Sequence, residues 1–386
     1  MLFQARIAKG YARVVIVAAL LTLTLTSCQN EPRTGTPQAP PKVVRLVSWG
    51  GFLQEDLVGK WITPAAKGAG IRVEAQTWNG DMGALATRIR RSVNTWDLVH
   101  VELQDAFRPD GAEIFEGFRS RNLGDLEDSY REASIVKDGL GMPNYEWGYV
   151  LAYRTDRIAS GGQPLTWDAL WNTRRYPGRR GIRNWPIGAI EIALLSLNRD
   201  PRHVLYDQKL SREQIEKQVT DALDRLNLIR EYTTFWDTGD QVQRGLTSGD
   251  MVFTAGYTGR TGTAFQKVCP SATDISSPCA VAVNPATAIV GADWWIIPKG
   301  AANAATANAL LEAMYSGRAI NGATAFSSNR GYHVPMKGVH VSDSIVKAFV
   351  EMGSSRNKNA LHIDSRFWSA NFTWIMDRWR LWKSQR

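Results

Sequence analysis

Three cysteines, five histidines and fifteen tryptophans limit the chemistry open to this 386-residue chain. Cys269 and Cys279 flank a turn-rich stretch holding Pro270, Ser276, Ser277 and Pro278. An even pair at that spacing favours a local disulfide in an oxidising compartment, and two thiols with no histidine nearby make a poor zinc site. His100, His203, His333, His340 and His362 are scattered, and only His333 and His340 share a loop. HExxH, G-x-S-x-G, the phosphate loop and C-x-x-C are all missing. Gly256, Gly259 and Gly262 repeat every third residue, which serves a turn more readily than a phosphate. One catalytic class stays open, a secreted carbohydrate-active enzyme, with paired carboxylates across a groove and indoles on which sugars stack. No catalytic residue, metal or cofactor is assigned.

The elements that must position any site alternate between strand and helix. VVRLVSW (43–49) is an apolar run stopped by Gly50-Gly51, and a helix-like stretch runs on to about Lys67. Residues 71–78 read as strand, 82–93 as helix and WDLVHV (96–101) as strand. That order implies an α/β protein with a largely parallel sheet. WGYVLAY (147–153), DMVFTAGY (250–257), AVAV (280–283) and DWWIIP (293–298) are further strands. Ser211 and Gln214 have capping-box spacing, and Ile215, Val219, Ala222, Leu226 and Ile229 follow on one helical face. Ala301–Ser316 reads as a helix ended by Gly317, and a last helix near 368–384 carries Trp368, Phe372, Ile375, Trp379 and Trp382. Trp167 and Trp171 read as core, and Asp237 and Asp240 as caps of a helix starting near Thr238. Trp294 and Trp295 point to opposite sheet faces, so at most one can face a ligand.

Composition places the chain among globular proteins, at 44% hydrophobic and 22% charged, with room for two domains. Three of the cations behind its +9 net charge, Arg6, Lys9 and Arg13, lie in a leader without acids. The remaining excess is mild and spread along the chain; it is only weak support for nucleic acid and argues only against a strongly acidic surface, and no nucleic-acid partner is expected. Residues 14–26 form a short apolar core closed by Leu25-Thr26-Ser27-Cys28, the pattern of a secretory signal. The ending resembles a bacterial lipobox. Residues 1–27 then form a lipoprotein signal peptide, Cys28 carries the lipid, and the Pro-rich 28–42 is a tether. The alternative is an ordinary signal cut near Ser27.

Three stretches are more specific: LVSWGG (46–51), MPNYEWGYVLAYRTD (142–156) followed by TWDALWNTRRYPGRRGIRNW (166–185), and ADWWIIPKGAANAATANALLEAM (292–314) followed by NRGYHVP (329–335). In this order and spacing they resemble the periplasmic solute-binding proteins of ABC importers, in the spermidine/putrescine branch. The resemblance runs from about Val43 to the C-terminus. It implies a two-lobed, type II-like periplasmic-binding fold with the ligand cleft between lobes. Lobe I would be 43–152 plus 293–335, and lobe II 153–292 plus 336–386. The implied protein is a monomeric, exported, membrane-anchored lipoprotein of the periplasm. It hands a small cationic solute to an inner-membrane permease, although a sensor serving a membrane receptor would use the same fold.

The resemblance also implies ligand-binding positions. Trp49 matches an aromatic residue at the end of the first strand, and Glu102 falls where the first lobe places cleft side chains. Glu191 matches an acid that binds an ammonium group, Tyr257 stands where the family has a tryptophan along the ligand, and Asp293 matches the acid of W-x-D-x-W-x-I-P. Trp236 completes an aromatic set around these acids, since a desolvated ammonium gains about 0.5–2 kcal/mol from a ring face. Two positions depart from the pattern: its tryptophan is Gly291 here, and an acid three residues before Glu191 is Gly188. Arg260 adds a cation near Tyr257, suited to clamping a carboxylate or phosphonate. Polyamine is therefore the leading expectation, and an amine-plus-carboxylate ligand such as an amino-acid derivative or opine the alternative.

Overall fold

Among the described residues ten strands form the frame that positions the site: β1 (Lys42–Ser48), β2 (Ile71–Thr77), β3 (Leu98–Glu102), β4 (Phe115–Glu116), β5 (Met142–Arg154), β6 (Arg180–Arg183), β7 (Thr233–Trp236), β8 (Phe253–Tyr257), β9 (Val281–Pro298) and β10 (Leu361–His362). They belong to a computed structural model that describes residues 42–118, 126, 140–159 and 162–385. The expected signal peptide, the lipidated Cys28 and all of the tether except Lys42 lie outside the described residues.

The main sheet runs β2-β1-β3-β9-β5-β8-β6-β7. β2, β1 and β3 are mutually parallel, as are β7, β6 and β8, so each end of the sheet is a parallel wing. The expectation of a largely parallel sheet holds within the wings only. Between them β9 runs antiparallel to β3 and β5, and β5 antiparallel to β8. β5 and β9 thus pair with each other and reach both wings.

β9 corrects the expectation of two separate strands at 280–283 and 293–298. The chain passes through Asn284-Pro285 without leaving the ladder. Opposite β5 the register jumps from Ile289 facing Tyr149 to Asn284 facing Leu151, so the extra residues bulge out. Pro285 has no N–H to give, and a bulge is where a sheet tolerates that. The Thr287 hydroxyl fills the gap by accepting from the Leu151 N–H at 2.9 Å.

Helices cover the sheet largely where periodicity put them. Gly51–Gly68 is one helical run with a π turn at Leu57–Ile62. The Ser211/Gln214 capping box forms in both directions and opens Arg212–Asn227, but the helix ends before Ile229, which is buried in the turn beyond. Gly317 does not cap the preceding helix, Ala304–Met314, but opens a 3-10 turn. Asp364 caps Ser365–Ser384, whose Trp368, Ile375, Trp379 and Trp382 are buried. Cys269 and Cys279 form a disulfide.

Candidate functional site

Every strand of the two wings ends at the same cleft, about 570 Å³ in volume. In one wing Trp49 follows β1, Asn79 lies in the turn after β2, β3 ends in Glu102, and the short helix after it, Leu103–Ala106, carries Asp105. In the other, β6 delivers Arg183 and Trp185, β7 is followed by Asp237 and Asp240, and β8 delivers Tyr257 and then Arg260. The carboxyl ends of parallel strands are where open α/β sheets bind ligands. Tyr145 and Trp147 from β5 and Asp293 from β9 also line the cleft.

Asp293 is the point on which its neighbours converge. Its Oδ2 accepts from Trp49 Nε1 at 2.7 Å and the Tyr145 hydroxyl at 2.8 Å, with His100 Nε2, which also pairs with Asn144, 2.9 Å away, while Oδ1 accepts from Trp147 Nε1 at 2.8 Å. The other ring nitrogen of His100 is fixed by the Ser48 hydroxyl at 2.7 Å. Burial works to raise the Asp293 pKa, but the bonds from His100, Trp49 and Trp147 outweigh it and hold the carboxyl below its usual value.

Two ion pairs flank this centre. Arg183 Nη2 lies 2.6 Å from Glu102 Oε1, joining β6 of one wing to β3 of the other. Burial opposes the arginine's charge, yet Glu102 and the neighbouring tyrosines raise its pKa well above the usual value. Its guanidinium also lies near the rings of Trp185 and Tyr257. Arg260 Nη1 lies 2.7 Å from Asp240 Oδ1. Asp105 forms no ion pair among the described residues, and the Arg108 charge lowers its pKa only in part. Burial and then the Glu102 charge push its carboxyl well up, which favours the neutral acid.

Five of the seven expected ligand residues meet in this cleft: Trp49, Glu102, Tyr257, Arg260 and Asp293. Glu191 does not. It is fully buried and already accepts from the Tyr206 hydroxyl at 2.6 Å, Trp368 Nε1 at 2.7 Å and the Gly188 N–H at 2.7 Å. Its carboxylate ties a helix start to the last helix. Trp236 is also fully buried, and its ring packs edge-on behind Tyr257 at 5.3 Å. Trp294 and Trp295 are both buried, because the sheet is covered on both faces there, and neither lines the cleft. His333 is buried and pushed down to about 3 by that burial, and no group of metal-ligating side chains occurs among the described residues.

The two departures from the family pattern are filled by a neighbouring strand. Gly291 faces Trp147 across the β5–β9 ladder, and a Cβ there would sit 2.6 Å from the indole. Trp147 therefore occupies the space that a side chain at 291 would take. Gly188 has φ +86°, and a Cβ on it would lie 2.4 Å from the Tyr149 ring. Tyr149 in turn donates its hydroxyl to that of Tyr257 at 3.1 Å. Sequence reasoning passed over Trp147, Tyr145, Arg183 and Asp105. The first three lie in stretches quoted for the resemblance, but nothing local marks them as cleft residues.

A gamma-aminobutyric acid-binding protein of Pseudomonas aeruginosa is 23% identical over 353 residues, covering 90% of this chain and 93% of its own. A solved GABA receptor superposes with a TM-score of 0.71 at 21% identity, over 89% of this chain and 98% of its own. An Agrobacterium tumefaciens B6 binding protein in complex with glucopine gives 0.69 at 19%, over 88% and 99%. A spermidine/putrescine-binding protein of Streptococcus pneumoniae stands further off, at 0.60 and 14%, over 89% and 100%. The polyamine branch is thus a distant neighbour. The two-lobed periplasmic-binding fold is the shared architecture. Residues 60–348 match the model of the bacterial extracellular solute-binding proteins, and with that match the cleft has its context: this chain belongs to that family, which serves ABC transporters.

Proposed function

We propose that this protein captures a small molecule carrying both an amine and a carboxylate and delivers it to an ABC permease. The observation that carries the reading is the pairing of charge types in one cleft. Asp293 supplies a buried negative charge among aromatic rings, and Arg183 and Arg260 bring guanidinium groups to the same walls. Each arginine commits one terminal nitrogen to a protein acid and has further N–H groups suited to a ligand carboxylate. The GABA-binding and glucopine-binding relatives lend weight to this class.

Polyamine is the weaker reading. Such a ligand needs an acid at each end, yet Glu191 is outside the cleft and two arginines are inside it. The proposal includes closure of the two lobes, 43–152 plus 293–335 against 153–292 plus 336–386, about β5 and β9. It also includes a monomer held in the periplasm by a lipid on Cys28.

Thermal shift of the purified protein tests the ligand class. The panel holds 4-aminobutyrate, basic amino acids, betaines, opine-like conjugates, putrescine, spermidine and oligosaccharides. A ligand at a hundred times its Kd stabilises by about 2.7 kcal/mol. An amine-plus-carboxylate is expected to do so, and Arg260→Gln to weaken it. Stabilisation by polyamines alone would overturn the proposal. An oligosaccharide consumed on incubation would return the chain to the carbohydrate-active class.

A further inference from the structure

Opposite charges lie side by side on one wall of the cleft, and neither is used up. Arg260 Nη1 lies 2.7 Å from Asp240 Oδ1. The arginine lies across the start of the helix Gly239–Ser248, where a Cβ on Gly239 would sit 2.9 Å from Arg260 Cγ. Among the described residues Asp240 keeps Oδ2 without a bond. Asp237 gives Oδ1 to Asn184 Nδ2 at 2.9 Å and keeps its Oδ2 as well. Arg260 has N–H groups beyond the one that Asp240 takes. A guanidinium with donors to spare, beside carboxylates with acceptors to spare, matches a group that carries a carboxylate and an ammonium on one carbon.

Asp293 is placed differently. Among the described residues no arginine or lysine pairs with it, and the His100 ring, 2.9 Å from Oδ2, is shared with Ser48 and Asn144. Its Oδ1 takes a single bond, from Trp147 Nε1, which leaves an acceptor position for a donor of the ligand. Trp49, Tyr145 and Trp147 line the cleft beside it, and aromatic faces favour a cation. Elsewhere in the cleft Glu102 and Arg183 neutralise each other, and burial favours the neutral acid at Asp105. The lining residues therefore carry more negative than positive charge, and Asp237 keeps that surplus even with His100 counted as a cation. An uncompensated buried charge is costly. A zwitterion such as 4-aminobutyrate adds no net charge, whereas a ligand with two cations and one carboxylate offsets the surplus.

We infer that the ligand is a basic α-amino acid, with its carboxylate on Arg260, its α-ammonium on Asp240 and Asp237, and its side-chain cation against Asp293. The inference rests on the amine-plus-carboxylate reading above and narrows it. A bare diamine fits less well, because its ammonium beside Asp240 would face Arg260 with no carboxylate of its own. At about 570 Å³ the cleft has room for such a molecule, since pockets of roughly 300–1,000 Å³ enclose ligands of drug size.

Deletion sets isolate each charge. Calorimetric titration of the unmodified protein would compare lysine with 6-aminohexanoate, norleucine and 1,5-diaminopentane, which lack the α-ammonium, the side-chain cation and the carboxylate in turn. Ornithine and arginine, each with its own three analogues, extend the comparison. In the best-binding set the intact amino acid is expected to bind at least roughly tenfold more tightly than each analogue, the scale of one hydrogen bond between charged groups. Equal or tighter binding of the analogue without the α-ammonium, or of the one without the side-chain cation, overturns the inference and leaves the proposed function standing. Equal or tighter binding of the diamine overturns both. Binding by no member of any set overturns the inference alone, because the betaines and opine-like conjugates of the thermal-shift panel test the wider reading. Asp240→Asn gives a second readout, because it keeps the shape but removes the charge that receives the α-ammonium. Preference for the intact amino acid over its analogue without that group should fall by several-fold, and an unchanged ratio in a folded Asp240→Asn protein would also count against the inference.

Discussion

Replacing Asp293 with asparagine is the most searching test of the cleft's construction, because the side-chain shape is kept while the charge is removed. Oδ2 of the aspartate accepts two donors, with His100 Nε2 2.9 Å away, and Oδ1 accepts a third. An amide oxygen can keep the bonds at Oδ2, weakened because it carries no charge. The amide nitrogen at the other position turns N–H groups toward Trp147 Nε1–H, so that bond is lost. A bond to a charged acceptor is worth about 1.5–3 kcal/mol, and the weakened ones give up part of theirs. Removing a buried charge recovers part of this. The recovery is the smaller quantity, since Asp293 is held below its usual pKa despite burial, which means that its bonds outweigh the desolvation. A net loss of about 2–4 kcal/mol follows, and for a chain of this size a fall in Tm on the order of 3–6 °C. Urea and thermal unfolding, followed by circular dichroism and tryptophan fluorescence at pH 7, would measure it. The pH dependence supplies the sign. A depressed carboxyl contributes stability above its unfolded pKa, near 3.9, that is lost as pH falls through the lower folded value. The gap between parent and variant should therefore narrow in acid. A gap below about 0.5 kcal/mol at neutral pH, where surface substitutions usually fall, would refute the reasoning.

Three other outcomes follow from the same contacts. Glu191→Gln faces an amide N–H against the Gly188 N–H and should destabilise the fold by about 1–3 kcal/mol, while ligand affinity stays within about twofold; a tenfold loss of affinity would return Glu191 to the ligand. Gly291→Ala pushes a methyl against the Trp147 indole and should cost about 1–3 kcal/mol, with weaker ligand binding measured by calorimetry as Trp147 leaves Asp293. His333, pushed down to about 3 by burial, stays neutral in the fold while the unfolded chain takes up a proton below about pH 6.5. Stability should then fall by up to about 1.4 kcal/mol per pH unit below that point, and His333→Asn should flatten the slope of unfolding free energy between pH 6.5 and 5 by close to one proton.

The elements were legible because their signals are local. Apolar alternation marks β1 and β3, the Ser211/Gln214 spacing marks a helix start, and Gly50-Gly51 marks the turn that puts Trp49 at a strand end. β9 was misread at Asn284-Pro285 because a proline looks like a break when the strand that absorbs the bulge is 130 residues away in the chain. Glu191 was misread for a related reason. In sequence it is an acid in an apolar helix, and only Tyr206 and Trp368, folded over it, show that its oxygens are taken.

By itself the sequence determined most of the longer strands and several helices in order, the leader's pattern, the Cys269–Cys279 pair and a resemblance strong enough to lead to the family. Periodicity and motif spacing are properties of neighbours along the chain. Tertiary structure alone decided what the cleft is made of. Trp147 fills the space above Gly291 through strand register, Glu102 meets Arg183 across 81 positions, and Asp293 gathers contacts from the end of β1, from β3 and from β5. A site's charge and hydrogen-bond capacity depend on which groups fold against one another, and that depends on distances that no local pattern encodes.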